Sequence, residues 1–355
     1  MELKKESIQV QKEKSRAKSQ ITFDEDFNVP DAKPDVGRLI QHKGRIIMDD
    51  VRLADEKGIL KGNLEVDILY VGEESGIVSS MTAKIPFEET LNLKDIVNGD
   101  KMCLKWEIED LTIRLIHSRK LNIKALVTFF ATVDEICQIK IPVDLNESDI
   151  SVRKKKIRFM GLSVHKKDTL RIKDEYTIAS NRPDISGLIW YTMDIRGLDL
   201  KPEENTVKAR GELSVFVLYE AEDTEAPVQW LEYALPFSGE VECEGCAEEL
   251  IPDIEVSVMH QSLEVKPDAD GEQRIFVSDV VLELDMKFFQ EEEKDLVTDV
   301  YTPVRECVPE GRTEVLERLL VRNFSRCRLS DRIQVKETQG KILQLCHSQG
   351  KVKLD

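Results

Sequence analysis

From Leu121 to Val133 every odd position is apolar (Leu121, Ile123, Ala125, Val127, Phe129, Ala131, Val133), whereas the even positions include Asn122, Lys124, Thr128 and Thr132. Strict alternation over that length predicts a long half-buried β-strand, because successive strand residues point to opposite faces. Val280, Leu282, Leu284, Met286 and Phe288, set against Glu283, Asp285 and Lys287, predict a second such strand. Leu64, Val66, Ile68 and Tyr70 predict a third, and Leu213, Val215, Val217 and Tyr219 a fourth. Turn-forming groups, Glu56-Lys57-Gly58 and Asn98-Gly99, fall between the runs. One stretch breaks the two-residue period. After Pro34 the apolar residues are Val36, Leu39 and Ile40, a helical spacing that predicts one or two helical turns after a proline start. The expected class is all-β: tandem antiparallel β-sandwich or open-barrel domains, each with a short helix near its start.

The pattern is also repeated. Pro34-Asp35-Val36-Gly37-Arg38-Leu39-Ile40 recurs 149 residues later as Pro183-Asp184-Ile185-Ser186-Gly187-Leu188-Ile189. The same offset carries Gly62 to Val66 onto Gly211 to Val215 and Leu69-Tyr70 onto Leu218-Tyr219. Ile85-Pro86-Phe87 answers Leu235-Pro236-Phe237 at 150, and Phe129-Phe130 answers Phe288-Phe289 at 159. The growing offset places insertions in loops of the second copy, one of them at Pro267 to Gly271, where Asp270-Gly271 suits a tight hairpin turn. Gly340-Lys341-Ile342-Leu343 resembles Gly37 to Ile40 and reads as the start of a third copy, so the chain is expected to be a fragment of a longer protein. The reading gives a charged tail at residues 1–19 and a first β-domain at 20–147. A linker and second β-domain follow at 148–292, with Arg153 to Arg158 in the linker and Val164 to Ile172 in the first strand. Residues 293–355 are read as a linker and an incomplete third domain.

Composition narrows the function classes. Lys and Arg total 51 against 68 Asp and Glu, a net charge of −17, which repels nucleic acid and anionic lipid. No apolar run approaches a membrane span, and the lysine-rich first twenty residues lack the apolar segment of a secretory signal. Seven cysteines at irregular spacing read as reduced thiols in a cytosolic compartment.

Phosphate-loop, zincin and nucleophile-elbow motifs are missing from the sequence. Pro34, Asp35, Pro183 and Asp184 are the polar turn shared by both copies, either a recognition loop used twice or plain helix-start chemistry. His117 and His260 fall near equivalent turns, as a paired site or as polar hairpin ends. Cys243-Glu244-Gly245-Cys246 could bind zinc, cycle as a redox pair, or be two incidental loop thiols; a structural zinc site wants two further ligands that the sequence does not offer nearby. Asp268 to Glu272 lacks the spaced acidic ligands of a calcium loop and reads as a hairpin turn. Glu291-Glu292-Glu293 reads as solvated loop; Arg153-Lys154-Lys155-Lys156 with Arg158 could bind polyanions, but within a −17 chain reads better as lysine guarding of exposed strands. No catalytic, metal or cofactor residue is assigned.

Three stretches resemble the SPOCS domain of endospore-forming Firmicutes: Val29 to Val36, Gly62 to Val71, and Leu115-Ile116-His117-Ser118-Arg119-Lys120-Leu121. The second copy carries Asn181 to Ile185 and Gly211 to Tyr219, but Met259-His260-Gln261-Ser262-Leu263 stands where the Ile-His-Ser-Arg-Lys stretch is expected. The opening Met-Glu-Leu-Lys-Lys-Glu is similar to that of clostridial proteins with tandem SPOCS domains and a C-terminal LysM domain. The resemblance implies a non-enzymatic assembly protein of the spore coat, held by basement-layer or other coat proteins at the forespore surface in the mother-cell cytoplasm. Peptidoglycan contact would come only through a LysM domain not seen here. The alternative is a carbohydrate or peptidoglycan-associated binding protein; Trp106, Trp190 and Trp230 lie at unrelated positions in the two copies, which weakens it.

Overall fold

A computed structural model describes residues 3–54, 56–97, 99–147, 149–222, 227–304, 306, 308, 310–321, 323, 328–332, 334, 342 and 344–350. Twelve strands run in chain order: β1 (Leu3–Asn28), β2 (Val36–Ala54), β3 (Lys57–Gly72), β4 (Val78–Asn92), β5 (Lys101–His117), β6 (Lys120–Leu145), β7 (Ser151–Thr177), β8 (Ile185–Glu203), β9 (Thr206–Ala221), β10 (Val228–Glu242), β11 (Ile251–Pro267) and β12 (Gln273–Tyr301). They form four three-stranded sheets, β2-β3-β4 and β1-β6-β5 in the first repeat, β8-β9-β10 and β7-β12-β11 in the second. The two repeats therefore share one strand order. In each, a meander of the second to fourth strands makes one sheet, and the last strand lies between the first and fifth in the other. The chain divides into two compact units, Ser7–Lys140 and Met1–Glu6 with Ile141–Asp355.

The alternating runs form the cores. Leu121, Ile123, Ala125, Val127, Phe129, Ala131 and Val133 of β6 are buried together with Leu64, Val66, Ile68 and Tyr70 of β3 in one cluster. Each sheet thus turns one apolar face onto the other, the arrangement of a β-sandwich. Val280, Leu282, Leu284, Met286 and Phe288 of β12 meet Leu213, Val215, Val217 and Tyr219 of β9 in the second cluster.

Among the described residues there is no helix, which corrects the short helices expected after Pro34 and Pro183. Val36 and Ile185 instead begin β2 and β8. The β2–β3 register shifts between Val36 and Arg38 and again between Leu39 and Gln41; the β8–β9 register shifts at Ile185/Gly187 and Leu188/Trp190. A bulge inserts one residue into the pleat. Two bulges in close succession turn period two into a spacing of three, which imitates a helix. A third shift follows at Met48/Asp50 and Arg196/Asp199. Opposite it sit Gly62 and Gly211, where a Cβ would come within 2.4 Å of the Ile47 carbonyl oxygen and 2.7 Å of the Phe237 ring respectively.

Other boundaries move as well. Residues 1–19, read as a charged tail, are strand from Leu3 onward, with Ile8 and Val10 buried among the charges and Lys94 N–H donating to Ser15 Oγ at 2.9 Å. Arg153 to Arg158 lies inside β7, not in a linker, and Glu291 to Glu293 lies inside β12, which runs on to Tyr301. These segments are partners: Arg158 stands opposite Glu293, whose carboxylate pairs with Lys156 at 2.7 Å and Arg158 at 2.8 Å. The Phe129–Phe288 equivalence is also off. The bulges at Ile108/Asp110 and Val258/His260 match at offset 150, and Val127 and Leu282 stand opposite them, so the last strands correspond at 155. A slip of four residues preserves the alternation, so apolar pattern alone cannot detect it. Gly340, Lys341 and Leu343, on which the third copy rests, lie outside the described residues. No helix among the described residues is long and apolar enough to cross a membrane.

Candidate functional site: two arginine-clamped Pro-Asp loops

The shared turn is a loop, residues 29–35 and 178–184, joining the outer strand of one sheet to the first strand of the other. In the first repeat, Lys33 N–H donates to the Pro30 carbonyl and Val29 N–H to the Arg119 carbonyl, each at 2.9 Å. In the second, Arg182 N–H donates to Ala179 and Ile178 N–H to Arg274, again at 2.9 Å. The carbonyls of Asp35 and Asp184 accept from Glu73 N–H and Glu222 N–H at 2.8 and 3.1 Å.

Each loop is held by one arginine. Arg119 Nη1 donates to the Lys33 carbonyl at 2.8 Å and to Asp35 Oδ1 at 3.1 Å, while Nη2 donates to the Val29 carbonyl at 3.0 Å. Ser118 Oγ reaches the other oxygen of Asp35 at 3.1 Å. Arg274 repeats the pattern: it pairs with Asp184 and donates through Nη2 to the carbonyls of Ala179 at 2.9 Å and Arg182 at 3.2 Å. A planar guanidinium with several fixed donors suits this task, since it can satisfy a carboxylate and two loop carbonyls at once. Tyr70 Oη adds a bond to the Pro34 carbonyl at 3.2 Å.

Helix-start chemistry is therefore replaced by a clamp that ties the loop to the hairpin between the fifth and sixth strands. The carboxylates of Asp35 and Asp184 face arginines, and Pro34 and Pro183 shape the turn beside them. Arg119 stands in the quoted Ile-His-Ser-Arg-Lys stretch, but its role does not follow from the stretch. Arg274 is not signalled by the sequence, which offers Met259 to Leu263 as the equivalent segment. The β5–β6 connection is Ser118-Arg119, whereas β11–β12 is joined by Asp268 to Glu272. The longer hairpin moves the arginine to 274. Counting from the strand ends would have found it.

The remaining candidates are not brought together with the clamps. His117 ends β5 and accepts from Arg119 N–H at 3.3 Å, but His260 sits mid-strand in β11 at the bulge, so the two are not at equivalent turns. Asp268 to Glu272 does form a hairpin loop, in which Asp268 Oδ1 accepts from Asp270 N–H and Glu272 N–H at 3.0 and 3.1 Å and Gly271 takes φ +88°. Cys243 and Cys246 are both buried in the second core. Their turn closes on Asn205, which accepts from Cys243 N–H at 2.8 Å and donates to the Cys246 carbonyl at 3.0 Å. Cys246 Sγ donates to the Glu203 and Thr206 carbonyls at 3.2 and 3.3 Å. Burial, reinforced by the neighbouring Cys246, pushes the Cys243 thiol up to about 12. A thiol held protonated is a poor nucleophile and metal ligand. Among the described residues no group of three or more His, Cys, Asp or Glu is placed to hold a metal ion.

Residues 35–116 and 184–266 each match the family model described as "SipL, SPOCS domain". No curated protein and no solved structure matches the chain. The matched segments begin at the two clamped aspartates and cover the second to fifth strands of each repeat, while the folded repeat adds an outer strand and the central strand of its second sheet. Two SPOCS matches in register with two copies of one sandwich are consistent with tandem SPOCS domains.

Proposed function

We propose that this is a sporulation-associated protein with no enzymatic role, one that scaffolds layers of the endospore coat through protein–protein contacts in the mother cell. The paired SPOCS match carries the reading. Its polar loops support it: the charged groups of the Pro-Asp turns are engaged in holding the loops in shape, which suits a rigid display element. Edge strands support it too, since β5 ends in exposed Leu115 and Ile116, and β11 shows exposed Val258 and Met259 at its bulge. Such edges favour contact with other proteins. The test is a fluorescent fusion followed through sporulation, together with a pull-down from sporulating cells and a glycan array. Forespore-surface fluorescence with co-purified coat proteins is expected. Diffuse fluorescence, or saturable glycan binding without protein partners, would overturn the scaffold and favour a carbohydrate-binding module.

A further inference from the structure

The outer faces of the two meander sheets differ in kind. Across β2-β3-β4 one row reads Lys43, Asp67, Thr82 and the next Arg45, Glu65, Lys84. The matching rows across β8-β9-β10 read Thr192, Phe216, Glu232 and Asp194, Ser214, Ala234, flanked by Trp190, Leu218, Trp230. An outer face is where water is expected, yet Phe216 is 5% exposed and Trp190 8%. The chain's own later segment lies there. The His347 ring stacks on Phe216 at 4.4 Å between centroids and 17° between planes. Its Nε2 is 3.3 Å from Thr192 Oγ1, and its buried Nδ1 is 3.7 Å from Glu232 Oε1. Gln349 Nε2 donates to both carboxylate oxygens of Asp194, at 2.9 and 3.1 Å.

We infer that the outer face of β8-β9-β10 is a docking surface for a histidine-bearing peptide segment, occupied in this chain by its own His347 and Gln349. The aromatic floor takes the flat ring, Asp194 accepts from the Gln349 amide, and the Glu232 carboxylate stands 3.7 Å from the ring's Nδ1. The floor is specific to the second repeat, because Asp67 stands where Phe216 would be needed in the first. Aromatic stacking supplies attraction beyond area burial. A covalent tether raises the local concentration of the segment on the order of millimolar, so an outside peptide competes poorly until the tethered one is weakened.

The experiment uses the full chain, its H347A variant, and an F216D/H347A double variant, with a labelled peptide of residues 342–350 read by fluorescence anisotropy. Aspartate is already accommodated at the matching position of the first repeat, so F216D leaves the sheet intact. Saturable binding to H347A is expected, at least tenfold tighter than to the parent and absent from the double variant. Equal binding to all three, or none to H347A, would overturn the proposal. Proton NMR of the parent gives an independent reading: the His347 ring resonances should lie upfield of their random-coil positions and return there in F216D. Random-coil His347 resonances in the parent would sink the contact itself. Light scattering separates the occupant's source: a parent dimer that becomes monomeric in H347A would place a second copy's segment on this face and overturn the assignment within one chain.

Discussion

The two meander sheets share strand order, bulges and an apolar inner face, and differ where they face outward. In the first repeat Arg45 pairs with Glu65 at 2.7 Å and Asp67 at 2.6 Å, Lys84 pairs with Glu65 at 2.7 Å, and Thr82 Oγ1 donates to Asp67 at 2.7 Å. In the second, Phe216 stands in place of Asp67 beneath the His347 ring, with Trp230 beside it. The inner residues are constrained by packing, because every atom there has a neighbour. The outer residues are constrained only by what meets them, water in one copy and chain in the other. The fold tolerates both solutions, so the outer face is where duplicated domains diverge in role.

The largest effects should be alike in both copies. Val66→Asp and Val215→Asp each place an unpaired charge at a fully buried position, at a cost of about 3–5 kcal/mol. Chemical denaturation that found either variant as stable as its parent would break the equivalence of the inner faces. Next in size, Arg274→Ala should cost about 2–3 kcal/mol and Arg119→Ala less, about 1–2 kcal/mol, because charged hydrogen bonds contribute more where water is excluded. The Arg274 side chain is 11% exposed and that of Arg119 30%. Thermal melts giving the reverse order would show that the clamps are not the same device.

Acid should separate the outer faces. The ammonium of Lys84 and the guanidinium of Arg45 hold the Glu65 carboxyl below its ordinary value of 4.5, against the opposing effect of burial. A depressed folded value means the carboxylate stabilises the first repeat fully above the unfolded pKa, and that this contribution is lost as pH falls through the folded one. Ser214 occupies the matching position in the second repeat. Glu65→Ser should therefore flatten the stability decline of the first repeat between about pH 5 and pH 3, read by amide exchange resolved to each repeat; an unchanged slope counts against the network. Smallest of all, Arg45→Ala should cost about 0.5 kcal/mol or less and be masked by high salt, since exposed ion pairs are weak and screened. Denaturation midpoints that fall by much more, or ignore salt, would give that network a structural weight like the clamps'.

The sandwich class was legible because burial on one face writes itself as alternation: Leu121 to Val133 and Leu213 to Tyr219 are buried as their spacing demands. Bulges were not legible. Val36, Leu39 and Ile40 look helical only because two extra residues interrupt the pleat. The candidate loops were found from Pro34-Asp35 and Pro183-Asp184, but their arginines were not. Arg119 and Arg274 lie 84 and 90 positions from the aspartates they hold, and only the fold brings such distant residues together. The docking face escaped for a related reason: Phe216 and Trp230 look like ordinary strand residues until the register sets Phe216 between Thr192 and Glu232 and Trp230 in the row beside it.

The placement of the last strand in each repeat bears on how the chain is made. β2-β3-β4 and β8-β9-β10 join neighbours in sequence and can pair as soon as they leave the ribosome. β1 and β7 must wait for β6 and β12, which are synthesised last and then fill the centre of their sheets. Until that moment each first strand is an unpaired edge, and the arginine at the head of the arriving strand has not yet reached its loop. Pairing of first and last strands thus waits until the whole repeat has been synthesised, and it is slow because its contacts span the domain. A nascent chain stalled before β6 would hold a formed meander beside a strand still searching for its partner.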